Sequence, residues 1–237
     1  MELYPAIDIR AGRVVRVRRG DPASEIVYHT DPLAVAEGYL RDGARWIHVV
    51  DLDRVFGAGD QAALIAELVR RVPLRWQAGG GAATAEEAEA LFACGISRVI
   101  VRASGGAAGL QDLARRCGGP RLAVALDVAG PRAGSPGAPH ALDHAGAVAL
   151  ARAAASAGIG TVVYTDLGLE GRLGGADVDG AAALANAAGV EVVVSGGIHT
   201  LDEISAIRAA GLAGAVVGRA LYERSFTLRE ALACSSR

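Results

Sequence analysis

The sequence predicts an α/β fold: a single (β/α)8 barrel of the TIM type, built from two duplicated halves. Three observations support this. The chain has 237 residues, close to the roughly 250 that are typical of one such barrel. Short apolar runs alternate eight times with stretches of helical pattern, as expected for a parallel sheet whose strands are joined by helices. Finally, the second half repeats residues of the first. We expect one domain over 1–237, with half-barrels of about 1–118 and 119–237.

The predicted strands are runs rich in Val, Ile and Leu without strict polar alternation, which is typical of strands buried on both faces. They are Leu3–Ile9, Trp46–Leu52, Leu74–Ala78, Ser97–Val101, Arg121–Leu126, Thr161–Thr165, Glu191–Ser195 and Ala213–Val217. The predicted helices are Pro32–Asp42, Gln61–Arg71, Ala85–Cys94, Ala107–Arg116, His144–Ala157, Asp179–Ala188, Leu201–Ala210 and Leu228–Cys234. Capping residues precede three of these helices, namely Asp31, Thr84 and Thr200. Eight such units favour a closed barrel over an open, doubly wound sheet.

The two halves of the chain match each other at nearly one spacing. The matched pairs are Gly79–Thr84 with Ser195–Thr200 at 116 residues, Ala6–Ile9 with Ala125–Val128 at 119, and Val50–Leu52 with Thr165–Leu167 at 115. Three segments this close to one register indicate a duplicated half-barrel. Such a duplication predicts a pseudo-twofold axis, with similar chemical groups facing each other across the barrel.

Composition excludes several classes of protein. The chain is 51% hydrophobic and 21% charged, which indicates a packed core and not a disordered chain. A net charge of −2 gives no electrostatic footprint for nucleic acid. No apolar run approaches the roughly 20 residues of a membrane helix, and the N-terminus lacks a signal-peptide pattern. Cys94, Cys117 and Cys234 are far apart in the sequence and are interpreted as reduced thiols. We expect a cytoplasmic monomer that binds neither nucleic acid nor a membrane.

Two glycine pairs predict a ligand with two phosphates. Gly80–Gly81 and Gly196–Gly197 each follow an apolar strand and precede a helix. Glycine lets backbone N–H groups approach an anion, and the helix N-terminus adds a positive partial charge. The loops after the last two strands of a barrel often bind phosphate, and Gly218–Arg219 would complete that pocket. Either pair alone could serve a tight turn, but their relation by the repeat favours two phosphate sites across the barrel mouth.

Two aspartates predict acid–base chemistry. Asp8 lies at the end of the first predicted strand and Asp127 at the end of the fifth, and these strands face each other in an eight-stranded barrel. Carboxyl groups at the carboxyl ends of barrel strands suit a general acid and a general base, provided that their environments differ. A lone aspartate more often caps a helix or pairs with arginine, but the matching positions in both halves favour catalysis.

A second set of carboxylates comprises Asp51, Asp53 and Asp166. Thr165, next to Asp166, could hydrogen-bond to a substrate or to Asp127. No histidine accompanies these carboxylates and their spacing does not fit a hard-metal site, so we predict no metal ion.

The chain resembles the histidine-biosynthesis isomerases that act on ProFAR, the phosphoribosylformimino aminoimidazole carboxamide ribotide. The residues that carry the resemblance are Pro5–Ile9, Gly12–Arg16, Asp42–Ala44, Ile47–Asp53, Tyr164–Asp166, Ser195–Ile198 and Val217–Tyr222. Together they extend over nearly the whole chain. A sister family, the cyclase subunit of imidazole glycerol phosphate synthase, usually has Cys-Leu-Asp in the first strand, where this chain has Ala6-Ile7-Asp8.

The resemblance implies an Amadori rearrangement of an aminoaldose to an aminoketose. Asp127 would be the general acid at the ribose ring oxygen, and Asp8 the general base at the C2′ proton. Thr165 and Asp166 would support Asp127, and Arg16 would reach the substrate. The phosphates would be bound by Gly80, Gly81, Gly196, Gly197, Gly218 and Arg219. No cofactor is implied, because every step is a proton transfer.

Four loops depart from the family's usual residues. The family's Gly-Gly-Ile-Arg is replaced by Gly80–Ala83, and its Gly-Thr-Ala by Arg102–Ser104. Arg102 stands where the repeat predicts a glycine, so it could block the backbone or bind phosphate itself, with Ser104 beside it. The segments 129–140 and 169–172 also lack the usual motifs. Two alternatives therefore stay open: an isomerase of dual or altered specificity, including phosphoribosyl anthranilate, or a degenerate paralogue that binds phosphate ligands without turnover.

Overall fold

The computed structural model describes residues 1–18, 21–129, 141–167 and 175–236. In these ranges one sheet contains ten strands: β1 Glu2–Arg10, β2 Arg13–Arg18, β3 Asp21–His29, β4 Trp46–Asp51, β5 Arg75–Ala82, β6 Arg98–Val101, β7 Leu122–Val128, β8 Thr161–Asp166, β9 Glu191–Ser195 and β10 Gly214–Val217. Their order is β10-β9-β8-β7-β6-β5-β4-β1-β2-β3, and β10 also pairs with β1. The pairing of β10 with β1 closes eight parallel strands into a barrel, which confirms the predicted fold.

The helices in the described ranges lie between the barrel strands or follow the last one. They are α1 Pro32–Arg41, α2 Leu52–Val55, α3 Ala62–Arg71, α4 Ala85–Ala93, α5 Gly106–Cys117, α6 His144–Ser156, α7 Val178–Ala188, α8 Leu201–Ala209, α9 Arg219–Tyr222 and α10 Leu228–Ser236. A short 3₁₀ turn at Gly119–Arg121 precedes β7. No helix in these ranges is both long enough and apolar enough to cross a membrane.

The three predicted capping residues are confirmed at the starts of their helices. Asp31 accepts hydrogen bonds from the N–H groups of Leu33 and Ala34 at the start of α1. At α4 and at α8 the capping threonine and the glutamate three residues later bond to each other's backbone N–H groups. Each of these two helices therefore begins with its first N–H groups satisfied and its position fixed relative to the preceding strand.

Side chains on the barrel strands alternate between two cores. Leu3 and Ile7 of β1 pack in the larger core, between the barrel and the helices. Tyr4 and Ala6 belong to a second cluster, to which seven of the eight barrel strands contribute and which therefore fills the barrel interior. Because successive residues of a strand face opposite ways, Asp8 shares the inward face with Tyr4 and Ala6.

A hairpin that the sequence analysis did not predict follows β1. Ala11 and Gly12 have φ of 48° and 74°, which turns the chain sharply so that β2 runs antiparallel to β1. β3 then pairs with β2 and carries Tyr28, whose ring stacks on Tyr222 of α9 with centroids 4.8 Å apart. This stack holds the hairpin against the far end of the chain, beside the carboxyl ends of the barrel strands.

Candidate active site

A cavity of about 580 Å³ lies at the carboxyl ends of the barrel strands. All eight barrel strands or the loops that follow them contribute to its wall. Its residues include Asp8, His48, Gly80, Gly81, Arg102, Asp127, Thr165, Gly196, Gly197, Gly218 and Arg219. The hairpin adds Val15, Arg16, Val17 and Tyr28 on one side. The cavity therefore combines the ends of the strands with a partial cover from the first loop.

Asp8 and Asp127 both line this cavity. Counting from β1 around the closed barrel, β7 is the fifth strand, so the two aspartates stand on opposite walls. Arg16 of the hairpin donates from Nη1 to Oδ2 of Asp8 at 3.3 Å. Asp127 is in register with Thr165 of the neighbouring strand, which also faces the cavity. A guanidinium thus lies beside Asp8, and a hydroxyl-bearing residue lies in register with Asp127 on the next strand.

Both glycine pairs lie at the cavity wall with left-handed backbone. Gly80 and Gly81 have φ of 99° and 93°, and Gly196 and Gly197 have φ of 87° and 77°. A Cβ on Gly197 would lie 2.1 Å from the carbonyl oxygen of Gly175, so no larger residue fits there. The first pair lies inside β5, at a shift in its register with β6, whereas the sequence analysis had ended that strand at Ala78.

Two predicted site residues lie outside the cavity wall. Asp166 is only 4% exposed and, being next to the inward-facing Thr165, belongs to the outward face of β8. Ser104 is exposed, and its hydroxyl donates to the carbonyl oxygen of Ala83 at 3.2 Å. The other predicted residues are brought together around the cavity.

Asp51 and Asp53 organise the loop after β4. Asp51 accepts from the N–H groups of Arg54 at 3.0 Å and Gln61 at 2.6 Å. Asp53 accepts from the N–H of Ala11 at 2.7 Å and from the side-chain amide of Gln61. Across the ranges that the structure describes, no group of three or more His, Cys, Asp or Glu side chains could hold a metal ion.

Comparison with known proteins identifies the family of this chain. A family model described as "Histidine biosynthesis protein" matches residues 2–227. This chain belongs to the histidine biosynthesis protein family.

Similar members of the histidine biosynthesis protein family come from several bacteria. A protein of Moorella thermoacetica is 38% identical over 100% of this chain and 99% of its own length. One from Brevibacillus brevis is 38% identical over 97% and 94%, and one from Symbiobacterium thermophilum 39% over 98% and 96%. Each is named 1-(5-phosphoribosyl)-5-((5-phosphoribosylamino)methylideneamino)imidazole-4-carboxamide isomerase.

Five residues that line the cavity of this histidine biosynthesis family member were not predicted as site residues. His48, Arg54, Glu87, Tyr28 and Tyr222 all line the wall. His48 could have been identified from its spacing of two residues from Trp46, because residues two apart lie on the same face of a strand. Glu87 was visible as the repeat partner of Glu203. Tyr28 gave no such signal, because it reaches the cavity only through the hairpin.

Tyr222 ties the last βα loop to the first strand. Its hydroxyl donates to the carbonyl oxygen of Ala6 at 2.7 Å, and burial raises the pKa of this phenol well above its ordinary value. Tyr28 donates to Glu223 at 3.0 Å, and Arg219 donates to the same carboxylate at 2.7 Å. The ends of β1, β3 and α9 are thus bonded into one side of the cavity.

His48 forms part of the cavity floor in this member of the family. Its Nδ1 lies 3.0 Å from the side-chain amide nitrogen of Gln77, which is fully buried. An imidazole with its proton on Nε2 can accept this hydrogen bond at Nδ1. Burial lowers the pKa of His48 to about 4, so the ring is neutral at physiological pH.

We expect this burial to make stability depend on pH. In the unfolded chain the pKa of His48 is roughly 6.5, whereas in the folded protein it is about 4. Between these two pH values the unfolded chain therefore binds the proton more strongly than the folded protein does. The free energy of unfolding should therefore decrease through this window, by up to about 3 kcal/mol, and lose nothing further from this group below it. Urea unfolding of the wild type and His48→Gln between pH 7 and 4 measures the difference. Parallel stability curves for the two proteins would contradict the expectation.

Proposed function

We propose that this protein is an isomerase that catalyses the Amadori rearrangement of the aminoaldose ProFAR to the aminoketose PRFAR, in histidine biosynthesis. The observation that carries the proposal is a pair of carboxylates, Asp8 and Asp127, on opposite walls of one cavity that also contains two left-handed glycine turns. The names of the relatives contain two phosphoribosyl groups, which supports a small-molecule substrate with two phosphates. These names favour this activity over altered specificity and over binding without turnover.

Asp127 is assigned the role of general acid. It gives its proton to the ribose ring oxygen while the bond from that oxygen to C1′ breaks, which opens the ring to a protonated Schiff base. A carboxylic acid within reach of the leaving oxygen lowers the barrier because no free alkoxide forms. The hydroxyl of Thr165, in register with Asp127 on the next strand, is assigned to hold this carboxyl group or the substrate.

Asp8 is assigned the role of general base. It removes the C2′ proton of the Schiff base, and the electron pair moves to the nitrogen to give an enolamine. Tautomerisation of the enolamine to the aminoketose moves the proton of the C2′ hydroxyl to C1′ and completes the reaction. Proton exchange with water then returns Asp8 to the carboxylate and Asp127 to the carboxylic acid. The ion pair with Arg16 stabilises Asp8 as a carboxylate, which is the form that a base needs.

The phosphates are assigned to the two glycine turns. Gly196, Gly197, Gly218 and Arg219 would bind one of them, and Gly80, Gly81 and Arg102 the other. Each turn precedes a helix, α4 or α8, and its glycine N–H groups can approach a phosphate oxygen closely because no side chain intervenes. Because every step is a proton transfer, the proposed reaction uses no cofactor and no metal ion.

The half-barrels 1–118 and 119–237 are proposed to be duplicates within one domain. The capping boxes of α4 and α8 support this, because threonine and glutamate make the same bonds in both. We further propose that the protein acts as a monomer in the cytoplasm without binding nucleic acid, in line with its net charge of −2.

Direct turnover tests the proposed function. Purified protein is incubated with ProFAR in the presence of a metal chelator, with Asp127→Asn as the control. We expect conversion by the wild type that collapses in the variant. A folded wild-type protein without turnover would contradict the proposal. Growth rescue of a histidine auxotroph, but not of a tryptophan auxotroph that lacks the phosphoribosyl anthranilate step, would separate it from dual specificity.

Arg102→Gln is expected to weaken substrate binding. The guanidinium lies against the glycine turn, where its Nη2 donates to the carbonyl oxygen of Gly81 at 3.2 Å, so a phosphate at that turn would meet it. Loss of one charged hydrogen bond at an exposed position should raise the KM for ProFAR by about 5- to 20-fold, with kcat within about twofold. Steady-state kinetics measures both, and Arg115→Gln, which removes an exposed arginine of α5, is the control. An unchanged KM would remove Arg102 from the site.

A further inference from the structure

Arg54 brings a second arginine to the glycine turn of β5. It lies in α2, directly after β4, and it lines the cavity. Its Nη2 is 3.1 Å from Oε1 of Glu87, and both side chains are partly exposed at 29% and 38%. The neighbouring Val55 lies against Gly80, since a Cβ on that glycine would be 3.2 Å from Cγ2 of Val55. Arg54 therefore belongs to the wall on one side of the turn.

Glu87 is held rigidly at the start of α4. Its Oε2 accepts from the N–H groups of Ala83 at 2.6 Å and Thr84 at 3.1 Å. These backbone bonds, more than the burial that opposes them, hold the pKa of Glu87 below its ordinary value. The carboxylate is thus ionised and oriented, and its other oxygen is the one that pairs with Arg54. A guanidinium held in this way keeps a defined place at the cavity wall.

The second half of the barrel uses the matching glutamate differently. Glu203 accepts through Oε2 from the N–H groups of His199 at 2.8 Å and Thr200 at 2.9 Å, just as Glu87 does at its own turn. Its Oε1, however, accepts from the backbone N–H of Ala176 at 3.0 Å. In both halves the capping glutamate contacts the loop of the neighbouring βα unit: Glu87 contacts the segment after β4, and Glu203 contacts the segment after β8. Among the described residues, this contact brings a positive charge to the cavity wall in the first half, whereas in the second half it fixes a backbone N–H group.

We propose that Arg54 is a further phosphate-binding residue of this site, positioned by Glu87, and that it forms with Arg102 a two-arginine clamp at the Gly80–Gly81 turn. The inference rests on the proposed function, because it assigns one of the two phosphates to this turn. Arg102 lies at the other glycine, where a Cβ on Gly81 would be 2.7 Å from its Nη2. Arg102 thus contacts the turn directly, whereas Arg54 reaches the same cavity wall from α2, where it is held by Glu87.

Guanidinium chemistry suits this assignment. A guanidinium has five N–H donors, so one that binds a carboxylate oxygen through Nη2 can bind a phosphate oxygen through another nitrogen. Arginine also binds phosphate in a bidentate way that lysine cannot reproduce. At the turn of β9 the corresponding cation is Arg219, which is ion-paired with Glu223. The two phosphate positions are therefore expected to differ, with the first-half position depending more on side-chain charge.

The test measures phosphate binding at each turn separately and does not use turnover. Inorganic phosphate is titrated into ¹⁵N-labelled protein, and the amide shifts of Gly80 and Gly81 are compared with those of Gly196 and Gly197. In Arg54→Gln we expect the dissociation constant reported by the first pair to rise at least about 5-fold, while that of the second pair stays the same. Arg54→Lys should recover part of this loss, because it keeps the charge.

The matched control is Arg71→Gln, which removes an exposed arginine that pairs with Glu67 outside the cavity. It should leave both dissociation constants unchanged. Equal affinity of the wild type and Arg54→Gln at the first turn would overturn the inference. So would a parallel loss at both turns, or a wild-type protein whose Gly80 and Gly81 amides ignore phosphate. If phosphate binding at Gly80 and Gly81 depended on Arg54 but the protein did not convert ProFAR, the proposed reaction would be contradicted and the two-arginine clamp would still be supported.

Discussion

Replacement of Asp8 by asparagine is expected to lower kcat for ProFAR by at least about 10²-fold, the usual contribution of a general base. Asparagine keeps the shape of the side chain but cannot take up the C2′ proton. Asp127→Asn should cause a loss of similar size, because an amide has no carboxyl proton to give to the ring oxygen. The double variant should lose less than the product of the two, because the groups act in one reaction sequence.

Steady-state kinetics and circular dichroism together check this expectation. The spectra should show intact folds, since both side chains are only partly buried at the end of their strands. Asp112→Asn, an exposed aspartate on α5 that is ion-paired with Arg115, should keep wild-type turnover. If either Asp8→Asn or Asp127→Asn kept a kcat within a few-fold of the wild type, its assigned role would be refuted.

Trp76→Ala should be the most destabilising single truncation in the barrel wall. Trp76 is fully buried between the barrel and the helices, and its indole N–H donates to the carbonyl oxygen of Val72 at 3.2 Å. Removing the ring leaves a cavity and deletes one of two hydrogen bonds to that carbonyl oxygen, which keeps the bond from the N–H of Leu74. The expected cost is about 3–5 kcal/mol in the free energy of unfolding. Urea unfolding measures this loss.

Trp76→Phe serves as the matched control for that truncation. It keeps most of the packing and removes only the hydrogen bond and part of the ring, so its cost should be smaller by about half or more. A Trp76→Ala variant that lost under about 1 kcal/mol would indicate that the surrounding residues collapse into the space. ProFAR turnover at 25 °C should persist in Trp76→Phe, because this ring lies outside the cavity.

The barrel could be predicted from the sequence because its strands and helices are long and regular. Runs such as Val192–Val194 place buried apolar side chains on both faces of a strand, and capping residues such as Thr84 and Thr200 mark where helices begin. The β2–β3 hairpin was missed because the predicted strands were runs with apolar residues on both faces, whereas Arg13–Arg18 mixes arginine with valine, as in a strand with one exposed face. The four-residue helices α2 and α9 are too short to show a helical period.

The candidate site could be predicted where chemistry and the internal repeat coincide. Asp8, Asp127 and the glycine pairs carried both signals, and all of them line the cavity. The repeat also pointed to Asp166, but successive residues of β8 face opposite sides of the strand. Asp166 therefore faces away from the cavity that Thr165 lines. Arg54 carried no repeat signal, because the residue 116 positions later in the sequence is Glu170 and not an arginine. Its position depends on the loop geometry, which pattern alone does not determine.

The ion pair between Arg16 and Asp8 joins residues only eight positions apart, across one tight turn. The proposed acid lies 119 residues beyond the proposed base, on the facing wall. In a refolding chain, contacts of low sequence separation form early and those between distant segments form late. The base can thus acquire its cation from a local hairpin, whereas the pair of carboxyl groups exists only after the two ends of the chain have met at β1 and β10. Recovery of activity would then follow the slowest, most nonlocal step of folding.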